Sequence, residues 1–125
     1  MEYLKRIQGI ENVIEKLPQQ LRCWYKFGNI IKLEYENNFD YEMWQEINKI
    51  NLIVADDEKK YKIRLGLRNV SGELGFSIGS KISGLEIKDM KMDGYENSVG
   101  FHIYDYENGE ISIYCEEIKV ELIVD

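Results

Sequence analysis

Val99-Gly100-Phe101-His102-Ile103-Tyr104-Asp105-Tyr106-Glu107-Asn108-Gly109-Glu110-Ile111-Ser112-Ile113-Tyr114-Cys115 holds two alternating runs around an Asn-Gly pair. Asn-Gly between alternating apolar residues is the strongest short-range signal for a β-hairpin. Two loop lengths compete. A two-residue loop sets His102 opposite Cys115 and Tyr104 opposite Ile113, which mixes polar rings with isoleucines. A three-residue loop, with Gly109 as the left-handed residue of a bulge, shifts the pairing by one. Val99, Phe101, Ile103, Ile111, Ile113 and Cys115 then share one face. His102, Tyr104, Tyr106, Glu110, Ser112, Tyr114 and Glu116 share the other. A one-residue slip exchanges the faces, so the register with a coherent apolar face is expected. Downstream the apolar phase moves from odd positions to Ile118, Val120, Leu122 and Val124, which calls for a bulge or corner near Glu116-Glu117.

Working outward, Tyr61, Ile63, Leu65 and Leu67 alternate with Lys62, Arg64, Gly66 and Arg68, the pattern of a half-buried strand. Ile47 to Val54, Leu74-Phe76-Ile78 and Leu85-Ile87 read as further strands. Leu21 to Phe27 and Ile30 to Glu36 read as β-type runs joined at Gly28-Asn29. Asn37 to Glu46 is mixed, with Phe39, Met43 and Trp44 on a strand or a short helical turn. Asp56-Asp57-Glu58-Lys59-Lys60 and Asp93-Gly94 are turn signals. Near the N-terminus Tyr3, Leu4, Ile7, Ile10, Val13, Ile14 and Leu17 follow helical spacing. Gly9 interrupts that pattern and sets an alternative start there, with Met1 to Ile7 as a strand or arm. Pro18 ends the helix. The expectation is a mainly β (α+β) single domain over residues 1–125. It is an antiparallel β-sandwich or partly open barrel of about eight or nine short strands, with one N-terminal helix.

The chain has 125 residues, 44% hydrophobic and 31% charged, with a net charge of −7. That size supports a hydrophobic core without metal or disulfide staples. The negative charge argues against nucleic acid and against an anionic membrane as partners. No apolar run approaches a membrane span and the first residues lack a secretory h-region, so a cytoplasmic protein is expected. Cys23 and Cys115 are then expected as reduced thiols. Lys outnumbers Arg three to one and Ala55 is the only alanine, a bias associated with AT-rich bacterial genomes.

Charge is unevenly placed. Asp93, Glu96, Asp105, Glu107, Glu110, Glu116 and Glu117 follow one another without a Lys or Arg between Asp93 and Ile118, whereas residues 1–92 are nearly balanced. Catalytic patterns are absent. There is one histidine, no Gly-x-Ser-x-Gly elbow, no P-loop, no CxxC, and too few Cys and His to fill a zinc site. No enzyme activity, cofactor or metal is expected. Acidic residues steer basic partners, and tyrosines on a sheet face give large contact area at low entropic cost. The candidate partner-binding residues are therefore His102, Tyr104, Tyr106, Glu107, Glu110, Tyr114, Glu116 and Glu117.

From Trp24-Tyr25-Lys26-Phe27 through Ile113-Tyr114-Cys115-Glu116-Glu117 the chain resembles, in overall character, the small acidic immunity proteins of bacterial polymorphic toxin systems. The resemblance implies a basic toxin domain as the partner, occluded by an acidic face. Two alternatives stand beside it. One is a small-molecule or carbohydrate-binding module that stacks Trp24, Trp44 and the tyrosines on sugar rings. The other is a structural subunit that self-associates through an exposed sheet edge.

Overall fold

Phe101 stands opposite Cys115, His102 opposite Tyr114 and Ile103 opposite Ile113. This is the register in which the apolar residues share a face, and Phe101, Ile103, Ile111, Ile113 and Cys115 are all buried. The computed structural model in which this is seen describes residues 1, 4–75, 79, 81–93 and 100–123, with 92 and 93 as backbone only. Gly109 has φ +65, as the bulge required. The connection is longer than the expected three residues, because the first strand ends at Asp105 and the second begins at Ile111. The Asp105 carboxylate accepts the N–H groups of Glu107 (3.0 Å) and Asn108 (3.2 Å). It thereby draws the chain into a turn before the ladder can continue.

Among the described residues eight strands follow one helix: α1 (Ile10–Lys16), β1 (Asn29–Asp40), β2 (Gln45–Ala55), β3 (Lys62–Arg68), β4 (Ser71–Leu74), β5 (Leu85–Asp89), β6 (Phe101–Asp105), β7 (Ile111–Cys115) and β8 (Glu117–Ile123). They form two four-stranded antiparallel sheets, β1-β2-β3-β8 and β4-β7-β6-β5. Both sheets feed one core, from Leu52, Ile63, Leu65 and Val120 on one side to Ile87, Ile103 and Ile113 on the other. The architecture is the expected antiparallel β-sandwich.

The phase change near Glu116 is a corner. The β3–β8 ladder runs from Lys62 opposite Ile123 to Arg68 opposite Glu117. The β4–β7 ladder continues the same register from Ser71 opposite Tyr114 to Leu74 opposite Ile111. One long ladder thus bends from one sheet into the other, at Asn69-Val70 on one chain segment and Glu116 on the other. At the bend the Glu116 N–H donates to the Arg68 carbonyl (2.9 Å), and Asn69 Nδ2 donates to Glu116 Oε2 (2.6 Å). Beyond the corner the opposite set of side chains meets the core, which is why Ile118 and Val120 are buried where Ile113 and Cys115 were.

The helix starts at the glycine. Gly9 is its N-cap with φ +85. A Cβ there would lie 2.2 Å from the Val120 carbonyl oxygen. The arm before it pairs Gln8 with Lys119 along the β8 edge, and Val120 N–H donates to the Gln8 carbonyl (2.8 Å). Arg6 Nε donates to Asp89 Oδ2 (2.7 Å), and Arg6 Nη2 donates to Asp89 Oδ1 and to the Gly100 carbonyl (3.0 Å). The arm is therefore tied to both sheets.

One expected element is corrected. Leu21 to Phe27 is no strand, and Gly28-Asn29 is no hairpin turn. The segment makes two 3-10 turns, Gln19–Leu21 and Trp24–Lys26. Leu21, Trp24 and Phe27 recur every third residue, the period of a 3-10 helix. Trp24 and Phe27 thereby enter the core. Gly28 instead packs under Ile82, whose N–H donates to its carbonyl (2.8 Å). Of the other expected features, Phe76 to Ile78, Gly94, Val99 and Val124 lie outside the described residues.

Candidate functional site

Among the described residues the most exposed apolar surface is at the end of the β1–β2 hairpin. These strands pair along their whole length, from Asn29 opposite Ala55 to Asp40 opposite Gln45. β3 pairs with β2 only from Lys49 to Ala55. The outer part of the hairpin, residues 37–48, therefore overhangs β3 as an arm. Its root is clamped: Asn48 Nδ2 donates to the Val70 carbonyl (2.9 Å), and Val70 N–H donates to Asn48 Oδ1 (2.7 Å). The mixed reading of Asn37 to Glu46 resolves into strand, four-residue turn and strand.

Asp40 builds the turn, since its Oδ1 accepts the N–H groups of Glu42 (2.9 Å) and Met43 (3.2 Å). Trp44 closes it in the left-handed region at φ 54. That conformation costs a non-glycine residue about 1–2 kcal/mol. Strain of this kind persists where surrounding contacts enforce it, and it concentrates at working surfaces. The contacts are aromatic. Phe39 meets Tyr41 at 5.0 Å and Trp44 at 5.3 Å, both edge-on, and Tyr41 meets Trp44 at 6.2 Å. The cluster is nonetheless open to solvent, with Trp44 74%, Tyr41 76% and Met43 65% exposed. Contiguous exposed apolar surface marks an interaction site more often than scattered single residues do. On the arm with it stand Asp40, Glu42 and Glu46, with no Lys or Arg from residue 37 to 48.

Charge over residues 1–92 as a block hides this arm, because Lys32 and Lys49 near its root and the bases of other elements balance it over that length. A window of about fifteen residues over 34–48 shows both signals at once, the lack of bases and the run of aromatics.

The eight residues singled out from the sequence do not form one face. His102, Tyr104 and Tyr114 do come together on the outer side of the β4-β7-β6-β5 sheet. The His102 ring stacks on Tyr114 at 4.1 Å and on Tyr104 at 4.7 Å, and its Nε2 lies 3.0 Å from Ser112 Oγ. Burial lowers the His102 pKa, and Lys88, opposite it on β5, lowers it further. Tyr106 and Glu107 are exposed in the β6–β7 loop, and partial burial with nearby carboxylates raises the Tyr106 pKa. Glu110 is half-buried, its Oε2 without a hydrogen-bond partner. Glu116 is held by Asn69 at the corner. Glu117 is the first residue of β8, on the other sheet, where it faces Arg68 at 4.0 Å. The corner is the reason: it turns the acidic run from one sheet to the other, so contiguity in sequence is not contiguity on the surface.

Trp24 is 1% exposed and lies in the core, so it has no ring face to offer a sugar. Cys115 is buried, which pushes its thiol up to about 12 and makes it a poor nucleophile. Both cysteines are free. Among the described residues no three His, Cys, Asp or Glu side chains gather as a metal site, and no helix is long and apolar enough to cross a membrane. No family model, curated protein or solved structure matches the chain, so the arm's own geometry is what speaks for its role.

Proposed function

We propose that this chain is a non-enzymatic protein-binding module that presents the acidic, aromatic-tipped β1–β2 arm to a basic protein partner, in the manner of an immunity-type inhibitor. The observation that carries the reading is the cluster of Phe39, Tyr41, Met43 and Trp44, solvent-exposed, strained at Trp44 and ringed by carboxylates. Aromatic anchors of this size offer about 150–250 Å² each for burial and dominate interface energetics. The carboxylates add long-range attraction, which raises association rates to a cationic surface and disfavours an anionic one. A projecting arm suits insertion into a cleft, the geometry by which an inhibitor occludes a site on its target. The stacked His102, Tyr104 and Tyr114 form a separate, flatter and less exposed surface, and they are the control.

The test is capture of partners from the native host at low and high salt, with mass spectrometry and with variants compared in parallel. Retention of a basic protein at low salt is expected. Trp44→Ala should weaken it by about thirtyfold or more, the scale of a 2 kcal/mol hot spot. Glu42 and Glu46 changed together to glutamine should slow association and flatten its salt dependence. Unchanged binding in Trp44→Ala, with loss in Tyr104→Ala or Tyr114→Ala, would move the interface to the other sheet. Capture of nothing basic at either salt would remove the reading.

A further inference from the structure

A groove of about 570 Å³ crosses the outer face of the β1-β2-β3-β8 sheet, away from the arm's tip. Strand register sets its side chains in rows. The first row is Glu36, Lys49, Arg68, Glu117, and the second is Glu34, Asn51, Gly66, Lys119. The third is Lys32, Ile53, Arg64, Glu121. The outer rows largely satisfy themselves. Arg64 pairs with Glu121, Arg68 faces Glu117 at 4.0 Å, and Lys32 reaches across to Glu34 at 2.6 Å. The middle row has a bare centre at Gly66.

That glycine is not demanded by the fold. Its φ is not in the left-handed region, and a Cβ there would meet only the Lys119 carbonyl oxygen at 3.7 Å, an ordinary contact. Gly28 and Gly100 differ, since a Cβ on either would lie 2.3 Å or less from a backbone oxygen. Glycine inside a strand weakens it, and where packing does not require it, it marks close approach by a ligand or another chain. Asn51 lies beside it, its side chain turned to Glu34 and its Oδ1 closed off from solvent. Around the bare centre stand Lys49, Lys119 and Arg68, and the two lysines have no ion pair among the described residues. At the β1 end stand Glu34 and Glu36.

We infer that this groove binds a small zwitterion, a free amino acid or a short peptide lying across the strands over Gly66. Its carboxylate sits among Lys49, Arg68 and Lys119. Its ammonium group turns to Glu36 at the β1 end, since Lys32 already holds Glu34. Three strand spacings separate β1 from β8, about 14 Å, a span that side chains reaching inward reduce to the length of a di- or tripeptide. The inference is independent of the partner-binding role of the arm.

The probe is L-alanyl-L-alanine titrated at millimolar concentration into the 15N-labelled full chain. N-acetylated and C-amidated forms of the same peptide each remove one charge. Saturable shifts are expected at residues 34–36, 49–51, 66–68 and 117–119, weakened at least tenfold by either cap. Gly66→Val fills the floor with only an ordinary contact to the Lys119 carbonyl oxygen, and should weaken binding at least tenfold while the remaining spectrum is preserved. Lys119→Gln should do the same and covers the case in which Gly66→Val perturbs the strand. Absence of saturable shifts in the wild type overturns the inference, as do equal shifts in both variants or equal binding of the capped peptides. Loss of a protein partner in Gly66→Val, with no peptide binding, also overturns it and assigns the groove to a macromolecule.

Discussion

Trp24 and Trp44 are the same residue type put to opposite uses: one ring is 1% exposed and the other 74%. The neutral quencher acrylamide should therefore quench close to half of the native tryptophan emission, and Trp44→Phe should leave an emission that acrylamide hardly reaches. The left-handed backbone at Trp44 gives a sharper expectation. Glycine at position 44 should be more stable than alanine by about 1 kcal/mol in urea unfolding, the reverse of their ordinary ranking, because only glycine escapes the Cβ strain. His102 supplies a pH signature. Its folded pKa is lowered from 6.5 by burial and by Lys88, so the folded state favours the neutral ring. The unfolded chain then binds more protons just below about 6.5, and stability falls as pH falls through that window. His102→Gln should flatten this slope, and the ring's own NMR titration should have its midpoint below 6.5. The Cys115 thiol, pushed up to about 12 by burial, should resist alkylation in the native protein and react on unfolding.

At the scale of elements, the strands with strict alternation were the legible ones. Ile63, Leu65 and Leu67 are buried as their spacing requires, and the Asn108-Gly109 hairpin adopts the register that keeps its isoleucines together. Segments with short or mixed periods were not legible. Leu21, Trp24 and Phe27 fit a strand about as well as a 3-10 turn until the core selects the turn, and the tip of the arm depends on one carboxylate, Asp40, gathering two N–H groups. The N-terminal arm was legible as a break at Gly9, but its anchor was not. Arg6 and Asp89 are 83 positions apart, and no local pattern announces their pairing. Asp89 is buried, so replacing it with asparagine removes the charge that holds the Arg6 guanidinium. Asp89→Asn should cost about 1–3 kcal/mol in denaturant unfolding, the scale of lost charge-assisted hydrogen bonds, and speed hydrogen exchange at Gln8 and along β8.

Across the whole molecule, the bent ladder through Asn69-Val70 and Glu116 decides which charges share a surface. It carries Glu117 and Glu121 onto the sheet of Arg64 and Arg68, where they form ion pairs, and leaves the acidic arm at the corner without bases of its own. Ion pairs this exposed contribute little to stability. Replacing Glu117 and Glu121 by glutamine should therefore change stability by less than about 1 kcal/mol, whereas the same chemistry at Glu42 and Glu46 should change association kinetics with a partner. Candidate residues were correspondingly half legible. The ring stack of His102, Tyr104 and Tyr114 followed from register alone, while the division of the acidic run between two sheets, and the exposure of Trp44 against the burial of Trp24, did not.

What the sequence by itself determined is the β class, the hairpin register, a break in the helical pattern at Gly9 and a change of strand phase near Glu116. Each follows from side-chain alternation or backbone sterics, which act over a few residues. What only the tertiary structure decided is which sheet each strand joins, which tryptophan enters the core, how Arg6 finds Asp89, and that the outer half of one hairpin overhangs its neighbours. These depend on packing between segments far apart in the chain, where burial and pairing are settled by the shared core rather than by any local pattern.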